Sequence, residues 1–474
     1  MEFLRQLIVF TYAFILALVP ATKYVEGVVG QPQSFLPSQT KTQNDKTISS
    51  LIYRGLFKYD IYGSTIPDLA ETWSVSPDGL IYTIKLKDNQ HWSDGRKITS
   101  DDLLYTSYKV SDLSGVATDK VDDLTVRYTL PNKYAPFLSL MTVGIMPANA
   151  EEKMNPLEPI SSGDFRVARV EVSGKLIKQV VLVSSNDSLD VKKIVFRYYS
   201  NEEELEVAAK LGEIDGFIST EDVDIPNFKD HKFPLQGIYY ALFLNLRNDK
   251  LKDLNLRQKL EKVLPVDDLT LEKGILVQGP ISRSLFTDKN LQFDTYDEKI
   301  KETTTPPLNL TITVPDVATH RELASRIRNF WEDSLGVTVT IKKIDPNKIV
   351  KDVVEPRNFE ILLFGQEVGR DPDRYVLWHS TQKDPPGLNI TGFEHVRADR
   401  ALEEGRNELD NDKRVVHYNE FQKVLTEQTP AIFLYHPFVH YYVSKYIDGI
   451  GEKYTFTYAD RFLDLANWKR VKTN

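Results

Sequence analysis

An α/β protein of two lobes, each a mixed sheet covered by helices, is what this chain predicts, on three observations. Two strand–helix–strand modules lie far apart, at 194–218 and 308–344. Two nearly unbroken apolar stretches, 239–246 and 431–435, have the composition of strands buried on both faces. The length, 474 residues with 41% apolar and 27% charged, matches roughly three average domains or two large lobes. A chain of this size buries about three quarters of its unfolded surface, so each lobe can have its own core.

From the N-terminus, Ile8 to Val19 carries no charge and Arg5 lies just before it. Residues 1–22 therefore read as a signal-peptide core ending at Val19-Pro20-Ala21, or as the outer part of a retained membrane anchor. The anchor is favoured because a strand, 24–30, begins at once. Either way the remainder faces outward, extracytoplasmic and tethered if the segment stays. Residues 31–46 are polar and turn-rich. Alternating apolar residues over 73–86, broken by Ser76-Pro77-Asp78-Gly79, predict a β-hairpin that would bury Trp73 and Trp92 in the first lobe. Thr99 followed by Asp102 is a capping-box variant that opens a helix through Tyr108. Alternation returns at 124–130, and Pro136-Phe137-Leu138 starts another short helix.

In the first module a strand, 194–199, leads to Asn201 as N-cap. Glu202, Glu203 and Glu204 stand in the first turn, where carboxylates suit the helix dipole. Leu205, Ala208, Ala209 and Leu211 form the apolar stripe, and Gly212 ends the helix before a strand at 214–218. The second module has a strand at 308–314, a helix over 319–335 with Leu323, Ile327, Phe330 and Trp331 inward, Gly336 as its cap, and a strand at 337–344. Later, Tyr418, Phe421, Val424 and Leu425 share one face of a helix at 411–428, which Pro430 stops.

Composition and motifs exclude several functions. A net charge of −9 with no basic run argues against nucleic acid, because phosphate contacts need clustered Lys and Arg. With no cysteine there is no disulfide, thiol nucleophile or Cys-ligated zinc. The chain contains no Gly-x-Ser-x-Gly elbow, phosphate loop, Gly-x-Gly-x-x-Gly or His-Glu-x-x-His, so no enzyme is expected. His436 and His440 are four apart, but 432–437 reads as strand and turn, where residues four apart do not converge as on a helix. Asp371-Pro372-Asp373 offers too few oxygens for calcium and reads as a turn. No metal and no cofactor are expected.

Collinear motifs carry a resemblance. They run from Leu51-Ile52-Tyr53-Arg54-Gly55-Leu56 through Ile66-Pro67-Asp68-Leu69-Ala70-Glu71-Thr72-Trp73 and His91-Trp92-Ser93-Asp94-Gly95. Further along come Asp253-Leu254-Asn255-Leu256-Arg257-Gln258-Lys259-Leu260, Gly369-Arg370-Asp371-Pro372-Asp373 and Ile447-Asp448-Gly449. In this order they resemble the family-five extracytoplasmic solute-binding proteins, the peptide, nickel and oligosaccharide receptors of ABC importers. The resemblance implies a periplasmic-binding-protein-like fold with an extra subdomain, and a chain that crosses the hinge twice. It implies lobe I from 23–47, 158–247 and 436–474, the subdomain from 48–157, and lobe II from 248–435, with the first crossing just after 246. It further implies a monomer that closes on an oligopeptide and delivers it to ABC permease subunits. An oligosaccharide, a nickel complex or a non-transporting receptor role is the alternative. The lipid-modified cysteine that tethers many such receptors is missing.

The same resemblance places Lys41 and Gln43 on a loop lining the cleft, and Gly365 and Gln366 where backbone groups pair with an extended ligand. Asn389 and Gly392 stand on the following loop in the same role, and Trp378 as a pocket wall. Peptide-binding relatives present an aspartate to the ligand ammonium three residues before the Asp-Pro step. Here that residue is Val368, so the expected aspartate is missing. Glu367, one residue earlier, is either its substitute on a shifted loop, since a buried ammonium needs a carboxylate partner, or a solvated loop glutamate.

Overall fold

The structure, a computed structural model, describes residues 22–148, 154–184, 186–281 and 308–471. The N-terminal segment read as a signal or anchor lies outside the described residues, apart from Thr22. Among the described residues no helix is long and apolar enough to cross a membrane.

The first lobe is built on β1 (Thr22–Val29), α1 (Gln43–Ile52), β2 (Val191–Tyr199), α2 (Glu202–Lys210), β3 (Gly216–Ser219) and β4 (Phe228–Pro234). β1 runs parallel to β2 and β3, with Glu26 opposite Phe196 and Gly216. The connection through α2 forms as its sequence predicts: the Asn201 side chain accepts from Glu204 N at 2.9 Å, and Leu205, Ala208 and Ala209 are buried. Gly212 turns the chain at φ +71°, a conformation that L side chains adopt only with strain. The next strand starts at Gly216, two residues later than expected, with Ile214 buried just before it.

The second lobe contains β5 (Ile238–Leu244), β6 (Asn309–Pro315), α3 (Ala318–Leu335), β7 (Thr338–Ile344), β8 (Ile361–Glu367), α4 (Val396–Asn407) and α5 (Asn411–Gln428). Its module is fixed by burial of Leu323, Ile327 and Trp331, whose indole N–H donates to Leu260 O at 2.8 Å. Gly336 caps α3 in the left-handed conformation. Phe330, expected inward, is only partly buried.

Two separate sheets were expected, yet one 12-stranded sheet forms, with a ten-strand path β7-β6-β8-β5-β9-β3-β1-β2 and on through Leu176–Ser184 and Phe165–Ser173, and with β4 and Gly274–Leu276 pairing with β9 off that path. The cause is β9 (Ala431–Ser444), a strand of 14 residues that serves both lobes. Its start pairs with β5, as Phe243 with Ala431 and Tyr240 with Tyr435. Its end pairs with β4, from Pro234 opposite Phe438 to Phe228 opposite Ser444. Pro437 falls between these two ladders, opposite Gly274 at the end of the short strand Gly274–Leu276, and its carbonyl accepts from Leu235 N at 2.8 Å.

The expected first crossing after 246 is corrected by this pairing. β5 lies wholly in the second lobe: it pairs with β8 along its length, and its two faces enter two separate cores. The crossing is therefore at 235–237, before the strand. The apolar run alone could not say which sheet it joins.

Within the first lobe a four-stranded sheet (Ala70–Val75, Ile81–Leu86, Thr125–Thr129 and Ala117–Lys120) packs with the helix Ser100–Lys109, whose Thr99–Asp102 capping box is present. Trp92 is buried there, its indole donating to Asp102 at 3.2 Å. Trp73 is a correction: it is 43% exposed on the outer face of its strand, touching Phe57 edge-on.

Candidate ligand-binding cleft

Where the lobes face each other, one edge of β8 is open. On one side β8 pairs with β5 from Ile361 to Glu367. On the other, β6 meets it only at Ile361 and Leu362. Residues 363–367 thus present N–H and C=O groups along an edge that has no strand partner among the described residues. Gly365 and Gln366 lie on this edge, half-buried, and Glu367 ends it, exposed. Opposite stands Tyr458, in the turn Tyr458–Phe462 of the first lobe; burial and then the Glu367 charge push its hydroxyl pKa up.

Most acids around this edge are neutralised from within the chain. Asp371 holds the Arg414 guanidinium at 2.6 and 3.0 Å, and Asp373 holds Arg406 at 2.7 and 2.9 Å. Asp460 takes Arg370. The Asp371-Pro372-Asp373 turn is therefore an arginine-binding corner. Among the described residues no Lys or Arg nitrogen lies within 4.0 Å of the Glu367 carboxylate, so its charge remains available.

The other expected site residues are placed variously. Lys41 and Gln43 are exposed at the start of α1, which the Asp45 carboxylate organises by accepting from Gln33, Lys41 and Thr42 N–H groups. Asn44 donates to the Tyr198 hydroxyl at 2.7 Å, so this helix start sits beside the carboxyl end of β2. That end of a parallel α/β sheet is where ligands bind in open sheets. Trp378 is a correction: it is 2% exposed and packed among Phe243, Phe393 and Phe433, and is core. Asn389 and Gly392 are also corrected. The fully buried Asn389 amide donates to Trp378 O, His379 O and Phe393 O, so it ties its own loop together. Gly392, at φ +72°, leaves room for Arg247; a Cβ there would sit 2.5 Å from its Nη1. Their N–H groups bond within the loop, Asn389 N to Gln382 O and Gly392 N to Asn389 O.

His436 and His440 do not share a ligand: the first meets Ile238 O and the second Asp230, each at 2.7 Å through Nδ1. Asp222 approaches the latter pair, but both carboxylates are exposed.

Arg370, Asp460, Tyr458, Tyr59 and Phe456 were missed from sequence. Arg370 stood inside a quoted motif but was passed over in the search for an aspartate. The segment 452–462 has no motif, and only its return to the cleft gives it a role.

Two lobes joined by paired crossings, with an open strand edge between them, form the two-lobe architecture in which ligands are held between domains. Comparison with known proteins agrees. Residues 64–270 match the family described as bacterial extracellular solute-binding proteins, family 5 middle. Oligopeptide-binding protein AppA of Bacillus subtilis is 21% identical over 483 residues, covering 90% of this chain and 88% of AppA. The solved structure of that AppA with a nonapeptide gives a TM-score of 0.72 at 21% identity, over 95% of this chain and 99% of that one. NikZ from Campylobacter jejuni, solved with Ni(L-His), gives 0.75 at 21% identity, over 95% and 100%. Through residues 64–270 the chain is similar to the family-five extracellular solute-binding proteins, and over most of its length it shares the fold of these solved structures.

Proposed function

We propose that this chain is the extracytoplasmic receptor of an ABC-type importer, that it binds oligopeptides between its lobes, and that it hands them to the membrane permease. The observation that carries this reading is the open edge of β8 at 363–367, with the Glu367 carboxylate at its end. Such an edge pairs with any peptide backbone, whatever its side chains, because main-chain groups are common to all sequences. Glu367 supplies the partner that a peptide ammonium needs on leaving water. Lys41 and Gln43 approach from the first lobe, at the start of α1. Closure follows from the ligand's greater affinity for the closed form, since a ligand that touches both lobes equally well when apart shifts nothing. The chain acts as a monomer, performs no catalysis, and is tethered by its N-terminal apolar segment.

Native mass spectrometry of the soluble portion, purified from the cells that make it, tests the ligand class. Added masses spread over peptides of mixed sequence are expected. A uniform sugar mass or a metal complex would replace this reading with a different receptor of the same fold.

A further inference from the structure

We propose that Arg370 is an intramolecular latch that closes the two lobes on each other before any ligand arrives. The residue follows β8 in the second lobe, and its guanidinium enters a notch in the first. There Nη2 donates to both oxygens of Asp460. The cation lies over the Tyr59 ring at 4.2 Å and the Phe456 ring at 5.1 Å. Only 12% of the Arg370 side chain and 6% of the Asp460 side chain meet solvent.

The notch is built by the first lobe alone. Asp460 accepts from Phe456 N and Thr457 N, both at 2.7 Å, as part of the Thr457 capping box. These bonds hold the carboxylate in place whether or not Arg370 is present. A preorganised carboxylate between two aromatic faces suits a guanidinium, which is planar and weakly hydrated. The interaction joins the lobes beside the crossing at 235–237, where Val368 N donates to Gly237 O and Gly237 N to Phe456 O, each at 2.9 Å, so it fixes the hinge angle of this form.

A second link of the same kind stands elsewhere on the lobe boundary. Ala135 N donates to Arg406 O at 2.9 Å, and the Arg406 guanidinium, oriented by Asp373, lies over the Tyr134 ring at 5.4 Å. Both links are chain to chain and need no ligand atom. The equilibrium of the empty receptor is therefore weighted toward the closed form. Because a ligand enters through the open form, the latch slows both its entry and its escape. This inference rests on the two-lobe architecture and not on the identity of the ligand.

The absence of cysteine makes the test direct. Val172→Cys and Val416→Cys, both on exposed positions and one in each lobe, accept a fluorescent donor and acceptor in the full chain. Energy transfer then reads the ratio of closed to open molecules with no peptide added. In the labelled parent the closed population is expected to dominate, and Arg370→Ala is expected to lower the closed-to-open ratio about tenfold. Arg397→Ala removes an exposed arginine that pairs within the second lobe, and should leave the ratio unchanged. Tyr59→Leu attacks the same notch from the first lobe and keeps the test decisive if Arg370→Ala misfolds. A parent that is mostly open without ligand would overturn the latch. So would a ratio that stays within about twofold in both notch variants.

Discussion

Charge placement decides what single residues do here. Glu26 is 1% exposed on β1, and it accepts from Arg461 at 2.8 and 2.9 Å, Tyr24 at 2.6 Å and Tyr441 at 3.1 Å. Arg461→Met leaves that carboxylate buried without its cation and should destabilise the fold by about 3–5 kcal/mol, measured by denaturant unfolding. Adding Glu26→Gln should recover part of the loss. Glu261 behaves differently: burial, opposed by the Thr429 hydroxyl, raises its pKa from 4.5 to about 7. The folded state then holds a proton that the unfolded chain has released. Stability should therefore fall as pH rises through the interval between those two values. Melting temperatures across that range should decline in the parent and stay flatter in Glu261→Gln. In the cleft, Glu367→Gln should weaken peptides with a free ammonium by about tenfold, while N-acetylated peptides bind as before. Equal loss for both classes, read by calorimetric titration, would remove Glu367 from ammonium recognition.

At the scale of elements, local chemistry made most of the fold legible. Caps at Thr99 and Asn201, the helix stop at Gly336, and the turn at 76–79 are all found where the residues put them. What sequence could not reveal was partnership. β5 reads as a buried strand, but its apolar side chains are equally suited to either lobe, and only pairing with β8 assigns it to the second. β9 looked finished at Tyr435 because proline usually ends a ladder, whereas here Pro437 falls between two of them. Trp378 and Asn389 carry side chains typical of binding sites, yet both serve the inside of one loop and core. Arg370 was overlooked because its partner is 90 residues away. The open edge of β8 should pair with a ligand at alternate amides, as strands do. N-methylation at successive positions of a bound peptide should thus weaken affinity about fivefold at every second position and little between them. A uniform effect along the peptide would argue against strand addition.

The whole molecule is a pair of lobes hung on β9 and the 235–237 connection, with the open edge of β8 near the junction and the Arg370–Asp460 pair across the same gap. Ligand capture in such a machine depends on how strongly the closed form is favoured in the empty and filled states. If closure without ligand rests on Arg370 and peptide recognition on β8, as proposed, the two should separate by mutation. Hydrogen–deuterium exchange resolved to residues 363–367 tests the binding claim most directly. Adding a peptide that binds should slow exchange of amides along this edge and in the facing turn at 458–460. Binding with unchanged exchange at 363–367 would mean that the ligand is held elsewhere, and would contradict strand addition as the basis of recognition.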